Sequence, residues 1–312
     1  MNQKTTLNYP SQFALLLGFM GLFVLLASLL VPLLGSQILH VPFLQVLTQL
    51  NRPENANTSR LLNTAASLLA FFLPALLVAR MMDKRPFAHL GFNTSLNTKQ
   101  IGWIIMITIA SMVLSGALGE LNEKIPISAK WFAKAKAIEE TYKTAMLTMA
   151  NMKSLTDYLL AVLVLAAAPA VFEEILFRGG FQQIFIGWTK NKWAGIIVTS
   201  VLFSAIHFSY FGFLPRVALG IVLGLIFFYS KNLWLNILLH FLNNAVVVTQ
   251  LYIVTRQGKS IEKTLDESMP IWWGVIALVV LYLLFKSFQK ESELILSQKE
   301  KSIHSTPENI IS

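Results

Sequence analysis

Residues 157–180 read DYLLAVLVLAAAPAVFEEILFRGG. From Tyr158 to Phe172 no side chain is charged, and then Glu173, Glu174 and Arg178 appear before the apolar character resumes towards residue 186. About 20 apolar residues of helix cross a hydrocarbon core roughly 30 Å thick. The stretch is long enough, so three ionisable groups fall on a membrane helix, where they are costly and mark function by default. Glu174 and Arg178 are four apart, share one helical face and can pair, while Glu173 is turned about 100° away and left free. An unpaired carboxylate in a low-dielectric setting suits a general base working near neutral pH. The plainer alternative is that all three form one structural ion network. Pro169 removes a backbone hydrogen bond four residues before Glu173 and predicts a kink that opens a wet cavity where the glutamates begin.

Outward from this helix the same solvent is written along the whole chain. Of 312 residues, 55% are hydrophobic and 13% charged, against roughly 25% charged in a soluble domain. Apolar runs predict about eight transmembrane helices, near 11–35, 61–82, 101–119, 157–186, 193–210, 214–230, 232–254 and 271–289. The first, from Phe13 to Leu34, is too long for the apolar part of a secretory signal and reads as a span. The expectation is an all-α, polytopic integral membrane protein of a bacterial cell membrane, with both tails short and polar. Residues 1–156 form its amino-terminal helices and a connector, 157–255 its chemistry-bearing core, and 256–312 a last helix and a disordered polar tail.

The net charge of +9 lies in loops between apolar segments, without a basic stripe interleaved with aromatics. Anionic lipid head groups account for it, and nucleic acid is not expected as a partner. Positive residues flanking the spans divide twelve against twelve. Discounting the long 121–156 segment leaves twelve against six and puts both termini inside. That segment carries six lysines among Trp131, Phe132, Met146, Leu147 and Met149. It reads as one or two amphipathic helices on the membrane surface, a connector bound to head groups before a lid or gate. The absence of cysteine excludes disulfides, thiolate nucleophiles and thiolate metal sites.

Two further spans carry polar chemistry. His207, in Phe203-Ser204-Ala205-Ile206-His207, lies 17 residues after residue 190, and Glu173 lies 17 before it. With the turn at 190, an antiparallel hairpin brings both to one depth. His240 and Asn244 are one turn apart on the next polar helix and can donate towards a single point, the geometry an oxyanion needs. Asn243 suits an interhelical hydrogen bond, and Gly220-x-x-x-Gly224 suits close helix packing.

Glu173-Glu174-x-x-x-Arg178, Phe203-x-x-x-His207 and His240-x-x-x-Asn244, in this order on successive apolar helices, resemble the CPBP family, the CAAX proteases and bacteriocin-processing proteins also called the Abi family. The resemblance covers residues 155–255. It implies an intramembrane endopeptidase in which Glu173 activates water with His207 assisting, His240 and Asn244 stabilise the oxyanion, and Glu174 and Arg178 order the site. It implies a peptide or membrane-protein substrate and no cofactor.

Zinc held by two histidines and a glutamate is the less favoured alternative, since no His-Glu-x-x-His is present and Asn244 is a poor zinc ligand. From another class, the same residues could brace a non-catalytic bacteriocin-immunity or scaffold protein. A transporter would show two similar halves, which this chain lacks. The final Asn309-Ile310-Ile311-Ser312 is no prenylation signal.

Overall fold

A computed structural model describes residues 7–93, 96–259 and 269–304. Lys4, Lys263 and the chain from 305 onward, which enter the charge and tail readings, lie outside them. The described residues form helices and turns without a strand. In chain order the principal helices are α1 Tyr9–Leu39, α2 Pro53–Met82, α3 Thr98–Glu123, α4 Ala129–Met149, α5 Leu155–Thr189, α6 Lys192–Ala205, α7 Phe213–Ser230, α8 Leu233–Arg256 and α9 Ile271–His304. Seven are long and apolar enough to cross a membrane, all of these but α4 and α6.

Two expectations are corrected. The span expected at 193–210 stops at Ala205, because Ile206–Gly212 turns away from helical geometry and Phe208 takes a φ of 51°. The tail expected to be disordered from residue 290 continues as helix to His304. Most of the 121–156 segment is the single helix α4, within the one or two helices expected there.

The membrane helices are started and stopped by local devices. A capping box opens α5, where Ser154 Oγ accepts from the Asp157 amide at 3.1 Å and Asp157 Oδ2 accepts from the Ser154 amide at 3.0 Å. The hairpins α5–α6 and α7–α8 share one turn, Lys190-Asn191-Lys192-Trp193 and Lys231-Asn232-Leu233-Trp234. In each, a left-handed lysine ends one helix and the next asparagine side chain caps the following one. This short repeat is present in the sequence but reveals its purpose only in the fold.

Two helices widen where proline would strain them. α2 becomes a π-helix at Leu68–Phe72 and α5 at Val162–Ala167, in each case ending two residues before a proline, Pro74 or Pro169. The wide turn gives the proline ring room against the preceding carbonyls. A third π stretch, Ile175–Gln182, begins directly after the glutamate pair.

One buried apolar cluster joins α1, α2 and α5 with Phe203 of α6 and the start of α8. A second joins α3, α7, α8 and α9. Between them stand the ionisable residues of α5. Leucines such as Leu25 and Leu29 of α1 face outward, as helices that are apolar all round do in lipid.

Candidate active site

The π stretch of α5 sets the register of the site. Glu174 and Arg178 are fully buried and paired, with Arg178 Nη1 donating to Glu174 Oε1 at 2.7 Å. The guanidinium also donates through Nη2 to the carbonyl of Gly220 on α7 at 3.1 Å. One turn on, Gln182 Nε2 donates to the carbonyl of Gly224 at 2.9 Å. The Gly220–Gly224 pattern therefore does more than pack helices. A Cβ at Gly220 would stand 2.8 Å from Ser200 Cβ, so glycine lets α7 approach α6 closely and offers its carbonyls to α5.

His240 of α8 stands between the two glutamates. Its Nδ1 lies 2.8 Å from Glu174 Oε1, and its Nε2 lies 3.9 Å from Glu173 Oε2. A carboxylate acceptor fixes Nδ1 as the protonated nitrogen and turns Nε2 towards Glu173. Glu174 thus holds Arg178 on one side and orients His240 on the other, while Glu173 has only the longer contact with His240 and stays available.

His207 sits in the turn after α6 and not within the helix. Its Nδ1 donates to the Phe203 carbonyl at 2.8 Å. The proton on Nδ1 leaves the Nε2 lone pair as an acceptor in the neutral ring. Among the described residues Glu173 makes no hydrogen bond to His207; its nearest charged contact is His240. The hairpin count assumed uniform α-helix from residue 190 to Glu173, and the intervening π stretch breaks that assumption.

Phe203 was quoted in the sequence only as part of the motif, yet its ring is the platform of the site. The ring centres of His207 and His240 lie 5.2 Å and 5.9 Å from it, and the Arg178 guanidinium lies 5.0 Å away over its face. Asn244 accepts from Asn243 Nδ2 at 3.2 Å, and its own amide N–H group has no partner among the described residues.

The wall opposite α5 is the Ile206–Gly212 turn. Non-helical backbone at membrane depth must have its polar groups satisfied within the protein. Asn122 of α3 does this, donating to the Tyr210 carbonyl at 2.8 Å and accepting from the Leu214 amide at 3.0 Å. Ser204 Oγ donates to the Phe213 carbonyl at 2.8 Å. Over this turn lies α4, where Ser209 Oγ donates to Glu139 Oε2 at 2.8 Å, Phe132 packs edge-on to Phe211, and Tyr142 lies under the guanidinium of Arg216. The segment expected to be a head-group connector thus contacts the turn that follows His207. A separate cavity of about 700 Å³ between α1, α2 and α5, lined by Gln12, Asp83, His89 and Gln183, does not include the glutamates.

Together these features define a polytopic helical membrane protein with two glutamates, two histidines and an arginine, of which Glu174, Arg178 and His240 are buried and Glu173 and His207 half-buried. Residues 155–246 match the family model described as type II CAAX prenyl endopeptidase Rce1-like. That stretch, less than a third of the chain, is similar to the CAAX proteases of the CPBP family, a likeness that implies a membrane-embedded peptidase. Neither the curated proteins nor the solved structures contain a match to it.

Proposed function

We propose that this peptidase cuts its substrate with a water molecule activated by Glu173. The observation that carries the reading is the asymmetry of the glutamate pair. Glu174 is committed to Arg178 and His240 at 2.7 Å and 2.8 Å, whereas among the described residues Glu173 has a single ion-pair contact, at 3.9 Å.

Glu173 takes a proton from water as the oxygen adds to the scissile carbonyl. His207 steadies that water through its Nε2 lone pair. The carbonyl oxygen gains negative charge, and the Asn244 amide N–H, with the His240 ring beside it, balances that charge. Glu173 then returns the proton to the departing nitrogen as the C–N bond breaks, leaving a carboxylate on one fragment and an amine on the other. The family description supports a prenylated peptide with a CAAX ending as the substrate.

Glu173→Gln in liposomes should lower cleavage of a peptide library, read by mass spectrometry of the cut bonds, by about 10²–10⁴-fold. Unchanged cleavage would end the enzyme mechanism and favour a bracing role for the cluster. Among the described residues no three His, Asp or Glu side chains gather as a metal-binding set. On the metal-free reading, chelator treatment should leave the purified protein active. Loss of activity restored by zinc would reverse that reading.

A further inference from the structure

Arg216, on the first turn of α7, plays no part in the chemistry above. Its surroundings are unusual for a cation. The guanidinium lies on Gly212, where an added Cβ would stand 2.2 Å from Nη1, and its carbon lies 5.7 Å from the centre of the Tyr142 ring on α4. Nη1 is buried without a hydrogen-bond partner. Among the described residues no carboxylate pairs with Arg216. The nearby Glu139 on α4 is occupied by Ser209. An aromatic floor and a glycine shelf hold a planar, unpaired cation just beyond the turn that carries His207. Nη1 has left water without gaining an acceptor, so the arrangement suits a ligand that brings the opposite charge.

This step rests on the proposed reading of the site. A CAAX ending carries its modified cysteine three residues before the chain terminus. Those three residues, extended, reach roughly 10 Å, and the last bears a free carboxylate. Arginine takes a carboxylate through two parallel hydrogen bonds. We propose that Arg216 binds the carboxyl terminus of the substrate peptide, fixing the cut at a set distance from the chain end. Gly212 leaves space for the guanidinium, and Tyr142 keeps its plane fixed.

The test uses the full chain in liposomes with a farnesylated fluorogenic peptide ending in a free carboxylate, and the same peptide ending in an amide. The wild type should favour the acid by about 10- to 100-fold in kcat/KM, the range expected for a charge-assisted pair. Arg216→Gln should bring the acid-to-amide ratio near one, and Arg216→Lys should retain part of the preference. Binding of both peptides to Glu173→Gln, by fluorescence anisotropy, should show the same acid preference, lost in the double variant with Arg216→Gln.

Equal cleavage of acid and amide by the wild type, or an acid preference that survives Arg216→Gln, overturns the proposal and leaves the protease reading standing. Arg216-dependent acid binding in a wild type that cleaves neither peptide would uphold the carboxylate site and end the proteolytic one.

Discussion

Glu174 Oε1 accepts from both Arg178 and His240, so one oxygen ties α5 to α8 while the guanidinium it holds reaches α7. Glu174→Gln would leave Arg178 fully buried without a counter-charge, a loss of about 3–5 kcal/mol. Thermal unfolding in detergent should therefore fall well below wild type for Glu174→Gln and stay close to it for Glu173→Gln. Equal melting of the two variants would mean the pair is not divided between structure and chemistry. The Glu174–Arg178 pair was legible from spacing alone. The His240 contact, 66 residues away in sequence, was not, because depth in a bundle says which residues are level and not which way their rings face.

At the scale of the helix, the carboxyl end of α4 is tethered to α2. Arg60 of α2 is fully buried and donates through Nε and Nη2 to the Met149 carbonyl at 2.9 Å and 2.7 Å, through Nη2 to the Asn151 carbonyl at 3.0 Å, and to Asn57 Oδ1. A cation on the last carbonyls of a helix also suits its dipole. Arg60→Met would orphan these acceptors, at about 1–3 kcal/mol for each one left unmet. Limited trypsin digestion should then cut sooner at Lys136 and Lys143, with a fall in peptidase activity as the helix leaves the 206–212 turn. Digestion at the wild-type rate would show that α4 is held by its apolar face instead. The sequence counted Arg60 with the outer charges, since nothing in composition separates a solvated arginine from one that caps another helix. The π stretches escaped for a related reason: the apolar positions around them still read as one long span, and only the register changes.

For the molecule as a whole, the all-helical membrane architecture, the order of the motifs and the helix that bears them were all legible, because lipid imposes long apolar runs and makes every interruption visible. What lay beyond reach was the length of α6. Its 14 residues rise about 21 Å, some 9 Å short of a typical hydrocarbon core. A bilayer beside such an element must thin or admit water, at a cost that grows with the mismatch. Reconstitution in phosphatidylcholines of increasing acyl length should therefore lower the turnover of one peptide substrate steadily while the protein stays folded. Turnover independent of chain length would show that the surrounding helices hold the lipid away. Under the proposed mechanism the short helix would move the shoreline: water drawn in where α6 ends, on the α4 side, would reach down towards the glutamates, and a peptide tail dipping partway would meet it without any full-length membrane helix having to unwind.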